Sequence, residues 1–239
     1  LVRRARTAAD RVVLTLFVNP TQFGPGEDYA IYPRDPGRDR ALCEAEGVDV
    51  IFMPTAAEMY APDASTAVVE EALSRRLCGA SRPGHFRGVC TVVSKLFNCV
   101  RPDVAVFGQK DAQQALVIKR MVRDLNFPIE IIVAPIVREP DGLALSSRNV
   151  RLSAEERKSA LGLSRALGMA REAFARGERD AATVRRRIEE ELAASGLRTD
   201  YVEIVDTGTM EPVAQLAPGV LVALAAFAGQ TRLIDNCEL

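Results

Sequence analysis

The chain has 239 residues, of which 48% are hydrophobic, and its 31 basic and 32 acidic residues give a net charge of -1. This length is enough for one large domain, or one domain and a smaller one, and the charge gives no basic field for nucleic acid. The single histidine excludes a histidine-rich metal site, and no apolar run is long enough to span a membrane. Five cysteines without C-x-x-C spacing favour a reduced, cytoplasmic setting in which they pack as small apolar residues.

The first part of the chain alternates predicted strands and helices. Strands are predicted at 12–18, 48–53, 104–108 and 129–134, and helices at 2–9, 35–47, 68–77, 89–100 and from about 111 to 125, with a loop at 79–88. This alternation predicts an α/β fold, in which a parallel sheet is covered by helices on both faces. Loops that follow such strands meet at the carboxyl edge of the sheet, where ligands bind.

The pattern changes after residue 149. Ser153 and Glu156 form a capping-box pattern that begins a helix running to about Gly177, and a second helix is predicted at 180–196. Strands are predicted at 201–205, 220–227 and 231–236. The sequence therefore predicts one α/β domain at 1–149 and a small α+β domain at 150–239.

The segment at 104–114 (VAVFGQKDAQQ) combines an apolar strand, a glycine turn and a helix N-terminus. The first N–H groups of a helix have no partner inside it, so this arrangement suits an anion, with Lys110 placed to reach a phosphate. The alternative is structural, because Asp111 followed by Gln114 also fits a helix N-cap pair. This segment alone supports both interpretations equally.

Several common catalytic signatures are absent. The chain has no G-x-x-x-x-G-K-[ST], no G-x-G-x-x-G after a strand and no G-x-S-x-G. The candidates that remain are Lys110, Ser146, Ser147 and Arg148, which are hydrogen-bond donors suited to phosphate oxygens. They suit a transfer at phosphorus, in which positioning and charge stabilisation do most of the catalysis. On composition alone, a polar linker between domains explains residues 146–149 better.

Four longer segments change this balance: 17–23 (FVNPTQF), 82–89 (RPGHFRGV), 107–114 (FGQKDAQQ) and 141–149 (DGLALSSRN). In order and spacing they resemble the pantoate–β-alanine ligase family over essentially the whole chain. The resemblance implies a Rossmann-like nucleotidyltransferase domain that binds ATP and pantoate, a small C-terminal domain, and a cytoplasmic homodimer. It also implies a reaction with ATP and Mg²⁺ in which pantoate is adenylated, releasing pyrophosphate, and β-alanine then displaces AMP.

The resemblance assigns roles by position. Gln22 would bind pantoate and contact β-alanine, and Gln114 would hold pantoate. Lys110, Ser146, Ser147 and Arg148 would be catalytic, acting on the phosphates. The ATP site would consist of Gly108, Gln109, Lys110, Asp111, Val137, Leu145, Ser146, Ser147 and Arg148, with Val137 acting through its backbone and residues 145–148 closing over the phosphates. No protein site for a metal ion is implied.

One departure from the family concerns the start of the chain. The family carries a His-x-x-Gly-His type motif after its first strand, and this sequence, which begins at Leu1, contains neither. His85 belongs to a different motif and is predicted to structure its loop. We therefore expect that this sequence is N-terminally truncated and that the polypeptide adenylates pantoate poorly or not at all. The alternatives are a non-catalytic, dimeric nucleotide-binding remnant, or a nucleotidyltransferase with another acid substrate.

Overall fold

The computed structural model describes every residue from Leu1 to Leu239. The chain forms two compact units: Leu1–Gly108 with Gln113–Ala134, and Gln109–Ala112 with Pro135–Leu239. The longer segment of the second unit begins at Pro135. The reason is that side chains between 135 and 149 are bound within that unit, as in the ion pair between Arg138 and Asp235.

The strands of the first unit are paired in parallel, as predicted. Strand β1 (Val13–Thr15) pairs with β2 (Val50–Phe52), and β3 (Val104–Gly108) pairs with β4 (Glu130–Ala134). The four strands form two separate two-stranded sheets. The connection from β3 to β4 contains a helix, as a parallel pair requires.

The helices of the first part of the chain differ in detail from the prediction. They are α1 (Val2–Arg6), α2 (Pro36–Ala45), α3 (Ala56–Met59), α4 (Cys78–Ser81), α5 (His85–Val100) and α6 (Ala112–Asp124). Short 3-10 turns lie at Pro20–Gln22, Leu73–Arg75 and Gln109–Asp111. Asp35 caps α2 by accepting a hydrogen bond from the Arg38 N–H at 3.0 Å, as expected from the sequence.

The predicted helix at 68–77 is wrong. The Glu70 carboxylate accepts hydrogen bonds from the backbone N–H groups of Ala72, Leu73 and Ser74, and only a 3-10 turn forms there. The buried Gln113 side chain also donates to the carbonyl of Leu73, at 2.8 Å. These side-chain bonds satisfy backbone groups that a helix would have paired.

The predicted loop at 79–88 is also partly helical. It contains α4, and α5 begins at His85 rather than at 89. Gly84 precedes α5 with a φ of 83°, a left-handed conformation that glycine adopts without strain. The glycine therefore begins a helix where the sequence pattern predicts a loop.

The second unit packs two helices and an antiparallel sheet around one core. Helices α7 (Ala154–Ala175) and α8 (Ala181–Ala194) are followed by β5 (Arg198–Asp206), β6 (Val220–Ala228) and β7 (Thr231–Glu238), in the order β5-β6-β7. The predicted capping box of Ser153 and Glu156 is present at the start of α7. Together with the parallel strands, this sheet confirms the predicted fold class.

All five cysteines are free thiols. Cys43, Cys90 and Cys237 are buried, as predicted, whereas Cys99 is exposed. Burial raises the pKa of both the Cys90 and the Cys237 thiol to about 11, which keeps them protonated and unreactive near neutral pH. None of the helices combines the length and the apolar character needed to cross a membrane.

Candidate active site

The first predicted binding residue, Gln22, lies in a 3-10 turn after β1. Asn19 caps this turn and is only 2% exposed. Its amide NH₂ donates to the Gln22 Oε1 at 3.3 Å and to the carbonyl of Gly88 at 3.2 Å, and its oxygen accepts from the Tyr60 hydroxyl at 2.8 Å. The bond from Asn19 fixes the orientation of the Gln22 side-chain amide.

The backbone of Gln22 is fixed from the other side by His85 and Arg82. The His85 Nδ1 lies 2.9 Å from the Gln22 carbonyl oxygen, which can only accept, so Nδ1 carries the proton. The Nε2 faces the Arg82 guanidinium at 3.2 Å and therefore accepts, which makes His85 the neutral tautomer. These contacts agree with the predicted structural role of His85.

Glu27 completes this cluster. Its carboxylate accepts two hydrogen bonds from Arg82, at 2.8 and 2.6 Å. Burial alone would raise the pKa of Glu27, but the hydrogen bonds and charge of Arg82 outweigh it and hold the pKa below its usual value. Glu27 and Arg82 are therefore both ionised at neutral pH. Glu27 orients the Arg82 guanidinium, which donates to the Gln22 carbonyl at 3.3 Å.

Gly88 allows α5 to lie directly against the Gln22 turn. A Cβ atom at this position would lie 2.5 Å from the Thr21 carbonyl oxygen and 2.7 Å from the backbone nitrogen and Cα of Gln22. Any side chain at this position would push the α5 backbone away from the backbone of the Gln22 turn. Gly88 is thus required for close packing beside a predicted substrate-binding residue.

The turn at Gln109–Asp111 joins β3 to α6, at the position predicted for an anion site. Asp111 lies within the 3-10 turn, and α6 begins at Ala112. The buried side chain of Asn236 donates hydrogen bonds to the carbonyl oxygens of Gln109 and Lys110, each at 2.9 Å. The Lys110 side chain is half-buried, and the structure gives its ammonium no ion pair.

The predicted nucleotide-binding residues Val137 and Leu145 face each other across a short hairpin. The Leu145 N–H donates to the Val137 carbonyl at 2.9 Å, and both side chains are exposed. Arg138 supports the hairpin, because it donates to the Gly142 carbonyl at 3.0 Å and forms a bidentate ion pair with the buried Asp235, at 2.7 and 3.0 Å.

Ser146, Ser147 and Arg148 begin a 3-10 turn directly after this hairpin. The Ser146 side chain caps the turn by accepting from the Arg148 N–H at 3.3 Å. Asn149 is buried, and its NH₂ donates to Glu139 at 2.6 Å and to the Ala144 carbonyl at 3.0 Å. The segment is thus a fixed turn in the structure and not an unstructured linker.

The two units hold different parts of the predicted site. Gly108, Gln22 and Gln114 belong to the first unit, and Gln114 lies half-buried in the first turn of α6. The second unit holds Gln109, Lys110, Asp111, Val137, Leu145, Ser146, Ser147 and Arg148. The sequence did not single out Asn19, Asp235 or Asn236, which fix these segments. For the last two, the only signal was a pair of polar residues within an apolar strand.

Sequence comparisons match one protein family over nearly the whole chain. The sequence matches the family profile described as Pantoate-beta-alanine ligase over residues 1–238. The pantothenate synthetase of Thermotoga neapolitana is 60% identical over 240 residues, a match that covers 100% of this chain and 86% of the relative. That of Moorella thermoacetica is 60% identical over 240 residues, covering 100% and 85% respectively.

Solved structures show the same similarity. The crystal structure of pantothenate synthetase from Thermus thermophilus superposes with a TM-score of 0.96 at 51% identity, covering 100% of this chain and 87% of that one. The pantoate–β-alanine ligase of Francisella tularensis, solved in complex with β-γ ATP and β-alanine, gives a TM-score of 0.80 at 31% identity, with 100% and 83% coverage. The profile match over nearly every residue, together with these identities, shows that the chain belongs to the pantoate–β-alanine ligase family.

Proposed function

We propose that this enzyme condenses pantoate with β-alanine at the expense of ATP, through a pantoyl adenylate. The observation that carries the proposal is the family match over residues 1–238, a range that includes Gln22, Lys110, Gln114 and the 146–148 segment. The Francisella tularensis relative was solved with an ATP analogue and β-alanine, which supports the same ligands here. A carboxylate and an amine do not condense in water without activation, and ATP supplies it.

In the first step, a carboxylate oxygen of pantoate attacks the α-phosphorus of ATP. A new phosphorus–oxygen bond forms, the bond to the β-phosphate oxygen breaks, and pyrophosphate leaves with the electron pair. Lys110 and Arg148 would neutralise the charge that develops on the leaving group, and the Ser146 and Ser147 hydroxyls would donate hydrogen bonds to it. Gly108, Gln109 and Asp111 would line the triphosphate. Val137 would contact the nucleotide through its backbone, and Leu145 would close over the phosphates with residues 146–148.

In the second step, the amine of β-alanine attacks the acyl carbon of the adenylate. The carbon–nitrogen bond forms, the bond to the AMP oxygen breaks, and the amine loses a proton. Gln22 and Gln114 would orient pantoate throughout through amide hydrogen bonds, and Gln22 would also contact β-alanine. The fixed turn around Gln22 favours this role, because a pre-positioned amide loses little entropy on binding.

We propose that Mg²⁺ enters with ATP. The protein contains no group of three or more His, Cys, Asp or Glu side chains arranged to hold a metal ion. Mg²⁺ commonly binds through substrate phosphates with few protein carboxylates. Bound there, Mg²⁺ would neutralise phosphate charge, while Lys110 and Arg148 hold the phosphate oxygens. We further propose that the enzyme is a cytoplasmic homodimer, as the family resemblance implies.

The second candidate is a nucleotide-binding, dimeric protein that has lost the chemistry. The presence of Gln22 and Gln114 beside Lys110 and the 146–148 segment favours the enzyme. A protein that only binds a nucleotide has no use for the two glutamines that are proposed to bind pantoate.

Exchange of labelled pyrophosphate into ATP distinguishes the two candidates. The proposed function requires exchange that depends on both pantoate and Mg²⁺, and it requires pantothenate and AMP in equal amounts when β-alanine is added. Lys110→Ala should lower exchange roughly 100-fold or more, a loss typical of removing a group that stabilises developing charge. Lys119→Ala, an exposed lysine of α6, is the matched control and should leave the rate unchanged.

ATP binding without exchange, both by this chain and by a version extended upstream of Leu1, would favour the non-catalytic candidate. The same assay on a version extended upstream of Leu1 tests the predicted effect of an N-terminal segment. Exchange by the extended version alone would support both the function and that prediction. Exchange by neither version, even with pantoate and Mg²⁺ in excess, would overturn the proposed function.

A further inference from the structure

Strand β7 contains two consecutive buried polar residues in an otherwise apolar core. Asp235 is 2% exposed and Asn236 is 3% exposed, and they lie opposite Leu224 and Ala223 of β6. Burying such groups is costly unless their hydrogen bonds are satisfied. Asp235 is satisfied by Arg138 of the hairpin. Asn236 is satisfied by a different segment, the Gln109–Asp111 turn.

Asn236 holds the Gln109–Asp111 turn by binding two backbone carbonyl oxygens of that turn. Its NH₂ donates to the oxygens of Gln109 and Lys110, both at 2.9 Å, and its own oxygen accepts from the Gln109 side chain at 3.4 Å. No cis peptide bond occurs in the chain. In a trans peptide the carbonyl and the following N–H are coplanar and point in opposite directions, so anchoring a carbonyl fixes the whole peptide plane.

The two anchored peptide planes are those on either side of Lys110. One joins Gln109 to Lys110 and the other joins Lys110 to Asp111. Fixing both planes fixes φ and ψ of Lys110, and therefore the direction in which its Cα–Cβ bond leaves the backbone. The ammonium itself has no ion pair in the structure, so its direction depends on this backbone.

We propose that Asn236 is a positioning residue that directs Lys110 toward the phosphates of the nucleotide. The proposal rests on the proposed function, which gives Lys110 its phosphate contact. It adds that phosphate binding by the turn depends on a side chain from β7, 126 residues away in sequence. A purely structural role would predict instead that Asn236 affects only the stability of the fold.

Binding of ATP and of adenosine separates these roles. Adenosine has the base and ribose of ATP but no phosphate. Asn236→Asp preserves the size of the side chain but replaces its donor with an oxygen that repels the two carbonyls. We expect this variant to weaken ATP binding roughly tenfold, the scale of one misplaced charge-assisted bond. Adenosine binding, measured by calorimetry or competition, should not change.

Three further variants complete the design. Cys237→Ser introduces a hydroxyl into the core at the next residue of β7, without touching the turn, so it should lower the melting temperature but not the ratio of ATP to adenosine affinity. Asn236→Ser retains a donor and should give an intermediate loss, and it replaces Asn236→Asp if that variant does not fold. Lys110→Ala should weaken ATP binding, and adding Asn236→Asp to it should weaken ATP binding no further.

The outcomes are distinguishable. If Lys110→Ala leaves ATP affinity unchanged, the proposed phosphate role of Lys110 fails, and the proposal for Asn236 fails with it. If Lys110→Ala weakens ATP binding but Asn236→Asp behaves like Cys237→Ser, Asn236 is structural and only this inference is overturned. Equal losses from Asn236→Asp with and without Lys110 would also overturn it, because the two residues would then act independently.

Discussion

Replacing Gly88 with alanine tests the close contact between α5 and the Gln22 turn. In an exposed helix, glycine to alanine stabilises by about 1 kcal/mol, because glycine loses more backbone freedom on folding. Gly88 is buried, and the added Cβ would lie 2.5 Å from the Thr21 carbonyl oxygen and 2.7 Å from two backbone atoms of Gln22. The obstructing atoms belong to the backbone, so no side-chain rotation relieves the contact.

The two effects have opposite signs, and their sizes decide the result. Overpacking of this kind typically costs about 1 to 3 kcal/mol, which exceeds the helix gain of about 1 kcal/mol in most cases. We expect a net loss of up to about 2 kcal/mol, and a melting temperature lower by about 2 to 4 °C for each kcal/mol. The contact is relieved when the turn moves away from α5, which also weakens the bond from Asn19 to the Gly88 carbonyl at 3.2 Å.

Thermal unfolding, urea titration and steady-state kinetics measure these effects. We expect the KM for pantoate to rise several-fold because Gln22 is displaced, while the KM for ATP changes little. Gly168→Ala on α7 is the matched control, since a Cβ there would meet nothing within 4 Å. It should stabilise by up to about 1 kcal/mol. Equal stabilisation by both substitutions, with an unchanged KM for pantoate, would refute the reasoning.

Two further predictions concern the ion pairs that support the binding segments. The pKa of Glu27 is lowered in the folded state, so its pair with Arg82 contributes stability above the ordinary pKa of 4.5, and this is lost as the pH falls below that value. Glu27→Gln should therefore have a lower free energy of unfolding than the parent chain at pH 7, and urea titrations should show this difference shrinking below pH 4.5. A difference in unfolding free energy that stays constant down to about pH 3 would contradict this. Asp235→Asn leaves the Arg138 guanidinium, whose side chain is 28% exposed, without its carboxylate, and we expect a loss of unfolding free energy of up to about 3 kcal/mol. Glu189→Gln, which breaks the exposed pair with Arg185, is its control and should cost less than about 0.5 kcal/mol; similar losses from both would show that burial does not set the cost.

The elements that could be predicted from the sequence are those whose signals are local. The cap at Asp35, the capping box at Ser153 and the apolar run of β3 each lie within a few residues, and each forms as expected. The helix predicted at 68–77 failed for a non-local reason. Gln113, 40 residues from Leu73 in sequence, takes the carbonyl that a helix would have used. No periodicity within the segment carries that information.

The candidate site divides in the same way. Lys110 and the 146–148 segment could be selected because their residue types suit phosphate, and the resemblance added Gln22 and Gln114. The residues that support them could not be selected, since Asn236 lies 127 residues from Gln109 and Asp235 lies 97 residues from Arg138. A single sequence gives no measure of such distances in space, so a buried asparagine in a strand is indistinguishable from an ordinary core residue.

Three of the buried polar residues share one arrangement. Asn19 fixes the Gln22 turn, Asn236 fixes the Lys110 turn, and Asp235 fixes the Val137 hairpin through Arg138. Each is at most 2 or 3% exposed, and each bonds to a segment that carries a predicted binding residue. Apolar residues at these positions would pack without any desolvation cost. The hydrogen bonds of the three polar residues instead fix the loops before a ligand binds. A loop that is already ordered loses less conformational entropy on binding. We therefore expect substitutions at these three positions to raise substrate KM values more than their effect on stability alone would explain.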